Sequence, residues 1–226
     1  MTAPRAVWFV IAAMNEGAMI GEVVASLTPH GAVVVVDDGS HDETSEFANA
    51  AGAHLLRHLL NRGQGAALQT GIQYALRNGA SHVVTFDADG QHRVEDALAM
   101  VARCDEAGLD AVLGSRFLGA TVGMGWRKGL VLRAAVIFTR LTTGLRLTDT
   151  HNGLRVFSRA GAQALEIRQD RMAHASEILA QIARRGLRYE EAPVTIIYTE
   201  YSIAKGQRLS NAVRILEDLV MGRLAR

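Results

Sequence analysis

SHVVTFDADGQ, residues 81–91, is the stretch that decides the fold of this 226-residue chain. Its first six residues are a mostly apolar run rich in β-branched and aromatic side chains, which predicts a buried strand. Asp87 and Asp89 follow directly, and residues two apart in an extended segment project to the same face. Carboxylate oxygens favour Mg²⁺ or Mn²⁺, and such ions bridge protein to substrate phosphates. The stretch therefore predicts a strand that ends at a cation site, with a solvated acidic turn as the simpler alternative.

Apolar strand-like runs alternate with helical segments on either side of this stretch. The predicted strands cover residues 7–12, 32–36, 54–57, 81–86 and 110–113, and the predicted helices cover residues 17–27, 43–51, 65–78 and 94–107. Continuous apolar strands separated by helices predict an α/β fold, with a mostly parallel central sheet covered by helices on both faces. In such a sheet the ligand crevice lies beyond the carboxyl ends of the strands, where this chain places its polar clusters.

The second half of the chain has a less regular pattern. A glycine-rich stretch at residues 119–125 predicts a mobile loop. The remaining predicted elements are helices over residues 126–141 and 175–185, strands over 156–158 and 187–198, and a C-terminal helix with an apolar stripe of Leu209, Val213, Leu216, Val220 and Leu224. No repeat, low-complexity tract or linker divides the chain, so we expect a single domain over residues 1–226.

Composition and charge exclude several classes of protein. The chain has 24 Lys and Arg residues against 23 Asp and Glu residues, and this balance argues against a nucleic-acid-binding protein. Cys104 is the only cysteine, which excludes an intrachain disulfide and a cysteine-based zinc site. Residues 6–14 are too short for a targeting segment, and no stretch approaches the roughly 18 apolar residues that span a bilayer. We therefore expect a cytoplasmic protein that does not cross a membrane by itself.

Polar clusters after the first two predicted strands indicate contacts to a nucleotide. Asn15 and Glu16 follow the first strand, and Asp37 and Asp38 follow the second. The acidic side chains could accept hydrogen bonds from a base and a ribose. Ser40 or Asp42 could instead cap the next helix, and the two roles are compatible because different residues carry them.

Two further segments are candidates for phosphate contacts. Residues 61–67, NRGQGAA, resemble a phosphate-cradling glycine loop that opens a helix, although they are not a Walker A sequence. Residues 201–207 offer one cation, Lys205, on a polar segment that by itself indicates only a loop.

Residues 148–155 place an acid, an imidazole and a guanidinium close together in sequence. Asp149 or His151 could act as a general base, and Arg155 could clamp a phosphate. The simpler alternative for this segment is an Asx turn at Asn152.

Taken together, these segments resemble the family 2 glycosyltransferases of the GT-A fold, and most closely the dolichyl- or polyprenyl-phosphate hexose synthases. IAAMNE at residues 11–16 is similar to the I-P-A-Y-N-E opening of that family. The other matches follow in the family's order: VDDGSHDET at 36–44, NRGQGAA at 61–67, DADGQH at 87–92, GSR at 114–116, DTHNGLRVF at 149–157, Glu177, EAPV at 191–194 and Lys205. The resemblance implies the GT-A nucleotide-diphospho-sugar transferase fold, with residues 1–116 as the nucleotide-sugar-binding half and residues 117–226 as the acceptor-binding half with amphipathic helices.

The resemblance also implies a role for each matched position. The positions implied to contact the donor nucleotide are Ala12, Asn15, Glu16, Asp37, Asp38, Gly65, Asp87, Ala88 and Asp89. Those implied to hold Mg²⁺ or Mn²⁺ against the diphosphate are Asp87, Asp89 and Gln91. Asp149 takes the place of the family's acid near the acceptor, and the implied counter-charges for donor or acceptor phosphate are Arg116, Arg155 and Lys205.

The chemistry implied is inverting transfer of a hexose from a GDP- or UDP-sugar to polyprenyl phosphate at the cytoplasmic membrane face. A phosphate acceptor is already anionic near neutral pH, which leaves open whether Asp149 is a base or only orients the acceptor. Transfer to a hydroxyl of a cell-surface polysaccharide or lipid-linked oligosaccharide is an alternative that requires a true base. A non-catalytic scaffold is a further alternative, whereas a nucleotidyltransferase is disfavoured because its long glycine-rich N-terminal motif is absent.

The chain departs from the family pattern at three places. Ala12 and Met14 stand where Pro and Tyr are usual, which predicts weaker base stacking. Residues 199–201 lack an arginine that many synthases carry there. His-Asn at residues 151–152 replaces a Pro-Ser-type pair, so the identity of the acceptor is left open.

Two basic amphipathic segments predict contact with an anionic membrane surface. The apolar face of residues 126–141 is accompanied by Arg127, Lys128, Arg133 and Arg140, and the C-terminal stripe by Arg208, Arg214, Arg223 and Arg226. Such helices lie on a bilayer or dock a membrane protein, so a small integral membrane partner is an alternative anchor. Core-facing helices with solvated arginines are the simpler alternative for either segment.

Overall fold

A central sheet and the helices packed on it form the frame of the protein. The computed structural model describes residues 6–123, 126–169, 174–199 and 201. In chain order the strands are β1 (Val7–Ala13), β2 (Ala32–Asp37), β3 (His54–Arg57), β4 (His82–Thr85), β5 (Ala111–Val122), β6 (Arg155–Ser158) and β7 (Tyr189–Ile197). The helices are α1 (Ile20–Leu27), α2 (Thr44–Ala50), α3 (Gln64–Arg77), α4 (Val94–Glu106), α5 (Trp126–Thr143), α6 (Arg159–Gln163) and α7 (His174–Arg185), with a 3₁₀ turn at Thr28–His30.

The strands lie in the order β3-β2-β1-β4-β6-β5-β7. Neighbouring strands are parallel except where β6 pairs antiparallel with both β4 and β5. Because β6 runs the other way, its first residue, Arg155, lies at the edge where β4 ends, opposite Thr85 of β4 and Leu113 of β5. This observed sheet confirms the predicted mostly parallel α/β architecture.

Both faces of the sheet are buried under helices. Along β1, Phe9 and Ile11 belong to one apolar cluster and Trp8 and Val10 to the other, as expected when alternate side chains of a strand point to opposite faces. The first cluster is completed by α1, α2 and α4, and the second by α3, α6 and α7. The double cover explains why the strands are continuous apolar runs.

The predicted mobile loop at residues 119–125 is wrong for its first part, because β5 continues to Val122. A register irregularity between Ser115 and Ala120 lets the end of β5 pair again with β7. A Cβ on Gly119 would lie 2.2 Å from the carbonyl oxygen of Val194. The glycine therefore permits close approach of two strands.

The predicted helices over residues 126–141 and 175–185 correspond to α5 and α7, and the predicted strand over 187–198 corresponds to β7. The predicted C-terminal helix lies outside the described residues. Within the described ranges, no helix has both the length and the apolar character needed to cross a bilayer.

Replacing Gly71 by alanine should destabilise the protein. Helix α3 lies so close to the sheet that a Cβ on Gly71 would be 2.4 Å from Cγ1 of Val10. We expect Gly71→Ala to lower the free energy of unfolding by about 1–3 kcal/mol, measured by urea denaturation. Gly21→Ala is the matched control, since its Cβ would meet Phe47 Cβ at 3.7 Å and alanine favours a helix. Equal destabilisation by both variants would contradict the close packing of α3.

Candidate functional site

The carboxyl edge of the sheet brings together most of the side chains singled out from the sequence. Asn15 follows β1, Asp38 follows β2, and Asp87 follows β4. Arg155 reaches the same edge because β6 is antiparallel. The site is therefore assembled from separate parts of the chain by the order and direction of the strands.

The carboxylate of Asp37 is buried and bound within its own turn. It accepts hydrogen bonds from the backbone NH of Ser40 at 2.7 Å and from the hydroxyl of Ser45, and Arg57 lies 3.7 Å away. Burial raises the pKa of Asp37, but the hydrogen bonds from Ser40 and Ser45 outweigh it and leave the pKa below its usual value. Asp37 thus shapes the turn after β2, and its predicted contact with the donor nucleotide stays a prediction.

Asp38 anchors the glycine loop that precedes α3. Its carboxylate accepts hydrogen bonds from the NH groups of Arg62 at 3.0 Å and Gly63 at 2.6 Å, and lies 2.7 Å from Nδ1 of His58. Gly63 has φ 96°, a conformation that favours glycine. Sequence reasoning did not predict this anchor, and the contact of Asp38 with a ribose stays a prediction.

The turns after β1 and β2 are joined through Asn15, which has φ 53° although it is not glycine. Its NH donates to Oγ of Ser40 at 2.9 Å, and its Oδ1 accepts from the NH of His41 at 2.9 Å. The neighbouring Glu16 accepts a hydrogen bond from the hydroxyl of Tyr201 at 2.8 Å. Residue 201 is therefore held at the donor side of the site.

Three of the residues predicted to contact the donor lie at positions where they contribute to the packing of the fold. Ala12 is half-buried near the end of β1, and Ala88 is buried in the first apolar cluster. A Cβ on Gly65 would lie 1.9 Å from the carbonyl oxygen of Gln169, so the missing side chain admits that segment. Their contacts with a nucleotide stay predictions.

Asp87 and Asp89 occupy the half-buried turn after β4. Oδ2 of Asp87 lies 2.8 Å from Nε2 of His92, and Oδ1 of Asp89 accepts from the NH of Gln91 at 3.2 Å. Burial raises the pKa of Asp87, but the hydrogen bond and charge of His92, together with the charges of Arg155 and His174, outweigh it and the net pKa is lowered. Burial and the charge of Asp87 raise the pKa of Asp89 to about 6. The turn therefore carries negative charge that its neighbours only partly compensate.

This carboxylate pair fits an open cation site. Among the described residues, no group of three or more His, Cys, Asp or Glu side chains could enclose a metal ion. Mg²⁺ is commonly held by one or two carboxylates together with substrate phosphates and water, so a closed protein cage is unnecessary. A cation would relieve the repulsion that raises the pKa of Asp89. The side-chain role predicted for Gln91 stays untested.

Asp149 forms a buried ion pair with Arg116. Its Oδ2 accepts from Nε of Arg116 at 2.6 Å and from the backbone NH of Arg116 at 3.1 Å. Arg116 also donates to the hydroxyl of Tyr198 at 2.9 Å and to the carbonyl oxygen of His151 at 2.8 Å. These contacts favour positioning roles for both residues over proton abstraction by Asp149 or a direct phosphate contact by Arg116.

The segment that carries Asp149 is held by hydrogen bonds to the carboxylate of Glu191. Its carboxylate accepts hydrogen bonds from the NH of Thr148 at 2.8 Å and from the NH of Asp149 at 3.0 Å. Burial lowers the pKa of His151 to about 4, although the charge of Asp149 opposes the change. His151 is therefore neutral at pH 7 and a weak base.

Arg155 is a buried cation of the site without a hydrogen-bond partner among the described residues. The residue is 5% exposed, and within the described part of the chain its guanidinium makes no hydrogen bond or ion pair. Burial lowers its pKa to about 10, even though Asp87 and Asp149 lie close enough to raise it. A buried guanidinium that no hydrogen bond satisfies costs free energy, the charges of Asp87 and Asp149 offset only part of that cost, and this position favours an anion site.

The turn that carries Asp87 and Asp89, called the acidic turn below, contacts the segment at residues 149–155 at Gly153. The hydroxyl of Thr85 donates to the carbonyl oxygen of Gly153 at 2.7 Å. A Cβ on Gly153 would lie 2.1 Å from Oδ2 of Asp87. Lys205, the remaining predicted cation, lies outside the described residues.

Comparison with known proteins shows the family to which the chain is similar. The model of the family described as "Glycosyl transferase family 2" matches residues 8–165. The chain is 38% identical to an uncharacterized protein of Methanocaldococcus jannaschii, over 96% of this chain and 92% of that protein.

Two characterised relatives are also similar. The UDP-N-acetylglucosamine–dolichyl-phosphate N-acetylglucosaminyltransferase of Methanococcus voltae is 31% identical over 97% of this chain and 96% of its own. The polyprenol monophosphomannose synthase of Mycolicibacterium smegmatis is 29% identical over 88% of this chain and 80% of its own.

Among solved structures, glucosyl-3-phosphoglycerate synthase from Mycobacterium tuberculosis, in complex with Mn²⁺, UDP and glucosyl-3-phosphoglycerate, superposes with a TM-score of 0.74. It is 20% identical and is matched over 98% of this chain and 80% of that chain. At this level of identity the similarity shows the fold alone.

Removing the charge of Asp149 should weaken the fold as well as the site. Asp149→Asn leaves the buried guanidinium of Arg116 without its counter-charge, and we expect a loss of about 3–5 kcal/mol in the free energy of unfolding by urea denaturation. The control is Asp110→Asn, which breaks the ion pair with the exposed Arg188 and should cost less than about 1 kcal/mol. An Asp149 variant as stable as the Asp110 variant would refute the structural role of the buried pair.

Proposed function

The chain belongs to glycosyl transferase family 2 and is a glycosyltransferase, and from this premise we propose that it transfers a hexose from a UDP- or GDP-sugar to polyprenyl phosphate. The names of two relatives support a lipid phosphate acceptor. The observation that carries the proposal is the buried guanidinium of Arg155 beside the acidic turn, which makes no hydrogen bond or ion pair within the described residues and is only partly compensated by nearby carboxylates. A phosphate group would supply the anion that this position lacks.

The state of the acidic side chains supports a phosphate acceptor over a hydroxyl acceptor. Most carboxylates at this edge within the described residues already accept hydrogen bonds or pair with a cation: Asp37, Asp38, Asp42, Asp149 and Glu191. Asp89 is a predicted cation ligand. A sugar or polysaccharide hydroxyl would need a base to remove its proton, whereas a phosphate oxygen is already an anionic nucleophile. The alternative of transfer to a polysaccharide or oligosaccharide hydroxyl is therefore disfavoured.

In the proposed reaction an acceptor phosphate oxygen attacks the anomeric carbon from the face opposite the leaving nucleoside diphosphate, which inverts the configuration. Asp87 and Asp89 would hold a Mg²⁺ or Mn²⁺ ion, which supplies positive charge to the donor diphosphate when bound. Arg155 attracts phosphate and restrains its orientation. The Arg116–Asp149 pair keeps the segment at residues 148–155 in place.

The acceptor lipid places the proposed reaction at a membrane surface, and one exposed face of α5 supports contact with the cytoplasmic side of a bilayer. Leu130, Ile137 and Leu141 are 57%, 59% and 83% exposed, and their spacing puts them on one side of the helix. Val136 is buried on the other side. Exposed Arg133 and Arg140 accompany the apolar stripe, as expected for an anionic bilayer. A small integral membrane protein on the same stripe remains the alternative anchor.

A transfer assay with Arg155→Met tests the proposal directly. Wild-type protein, with UDP- and GDP-sugars and either Mg²⁺ or Mn²⁺, should glycosylate polyprenyl phosphate and not the unphosphorylated polyprenol. We expect Arg155→Met to lower kcat/KM at least about 100-fold because the phosphate contact is lost. Its free energy of unfolding should stay equal or rise, since a buried unpaired cation is removed. The control is Arg188→Met, which removes an exposed arginine that forms an ion pair with Asp110. Equal transfer to the polyprenol, or full activity of Arg155→Met, would overturn the proposal.

Replacing the stripe on α5 should release the protein from membranes. In flotation with anionic liposomes, wild-type protein should rise with the vesicles, and the double variant Ile137→Glu/Leu141→Glu should stay at the bottom. The matched control is Phe47→Glu, which changes another exposed apolar residue, on α2. If the control is released as strongly as the double variant, the stripe is not the contact.

A further inference from the structure

The loop between β3 and α3 carries two leucines that pack against almost nothing. Leu59 is 99% exposed and Leu60 is 77% exposed. Single exposed apolar residues are common on protein surfaces, but an adjacent pair at the tip of a loop offers a contiguous apolar surface to a partner. We call residues 58–63 the leucine loop.

The leucine loop is held open by one buried carboxylate. Asp38 lies 2.7 Å from Nδ1 of His58 at the start of the loop and accepts hydrogen bonds from the NH groups of Arg62 and Gly63 at its end. The NH of His58 also donates to the carbonyl oxygen of Asp37 at 2.9 Å. Because both ends are fixed to the turn after β2, the two leucines project as a pre-ordered tip.

The strand order places this tip and the start of α5 toward opposite ends of the sheet. The leucine loop follows β3, the first strand in the spatial order, whereas α5 follows β5, near the other end. The strands that carry the acidic turns and Arg155 lie between β3 and β5. The two exposed apolar surfaces therefore follow strands on either side of those that carry the site.

The charges next to the tip favour an anionic surface. Arg57 precedes the loop and Arg62 lies within it, on either side of the two leucines, and both residues are exposed. Arg57 is partly compensated by Asp37 at 3.7 Å. Arg62 makes no ion pair with a side chain in the described part of the chain. Leucine beside arginine is the combination expected where a surface loop enters the headgroup region of a bilayer.

We propose that Leu59 and Leu60 insert into the surface of an anionic lipid bilayer and form a second point of membrane contact, across the site from the stripe on α5. Contact on both flanks directs the mouth of the site at the membrane, where a lipid-linked phosphate lies. The inference rests on the proposed function for its biological sense, but the membrane contact itself is measured without any acceptor. A second copy of this chain is the competing occupant.

The first measurement uses vesicles of anionic or zwitterionic phospholipid that contain no polyprenyl phosphate. We expect Leu59→Ser/Leu60→Ser to weaken binding to anionic vesicles about tenfold, since two apolar side chains no longer leave water. Phe47→Ser is the matched control and should bind like the wild type. Thermal stabilisation by UDP or GDP should be unchanged in both variants, which shows that the donor side is intact. Unchanged vesicle binding by the leucine double variant would overturn the inference. The inference would also be overturned if the leucine double variant shifted from dimer to monomer in sedimentation while it still bound vesicles like the wild type.

The second measurement separates this inference from the proposed function. The leucine double variant should transfer sugar to bilayer-embedded polyprenyl phosphate about tenfold more slowly than the wild type, and to a short water-soluble prenyl phosphate at the wild-type rate. A wild type that binds vesicles through the leucines but glycosylates neither phosphate would refute the proposed function and leave the membrane contact standing. A double variant as fast as the wild type on the embedded acceptor would refute the leucine contact alone.

Discussion

The antiparallel pairing of β6 with β4 is the contact on which the site depends. It sets Arg155 opposite Thr85, two residues before Asp87, and the hydroxyl of Thr85 holds the carbonyl oxygen of Gly153. If β6 ran parallel to its neighbours, Arg155 would lie at the other edge of the sheet. One reversed strand thus brings the acidic turn and the cationic segment to the same edge.

Near the pair of strands β4 and β6, the buried polar groups divide into those that stabilise the fold through contacts with the protein and one that does not. The Arg116–Asp149 pair is desolvated but satisfied, and Glu191 supports it from the next strand. Asp38 is equally committed to the loop before α3. The guanidinium of Arg155 is buried, makes no hydrogen bond within the described residues, and is only partly compensated by the charges of Asp87 and Asp149. A charge that the surrounding protein compensates only in part is common where a ligand binds, and this contrast is why the proposed function assigns phosphate binding to Arg155.

The sequence predicted those features that are set by local pattern. The first four strands could be located because each is a short apolar run closed by polar or glycine residues, and the carboxyl edge followed from the parallel arrangement. The pair between Arg116 and Asp149 could not be predicted, because it joins residues 33 apart whose approach depends on how β5 and β7 pack. The same holds for His58 and His92, whose importance comes from the carboxylates they contact. The prediction of a mobile loop at Gly119 was wrong because glycine is favoured both in mobile loops and where two strands pack closely.

The near-contact between Gly153 and Asp87 also limits how such an enzyme can diversify. The proposed function places the segment at residues 149–155 next to the acceptor. At Gly153 this segment packs against a carboxylate of the acidic turn, so a segment grafted from another protein must bring a residue without a side chain at that point. The segment and the acidic turn are therefore coupled by packing, and a change in one constrains the other.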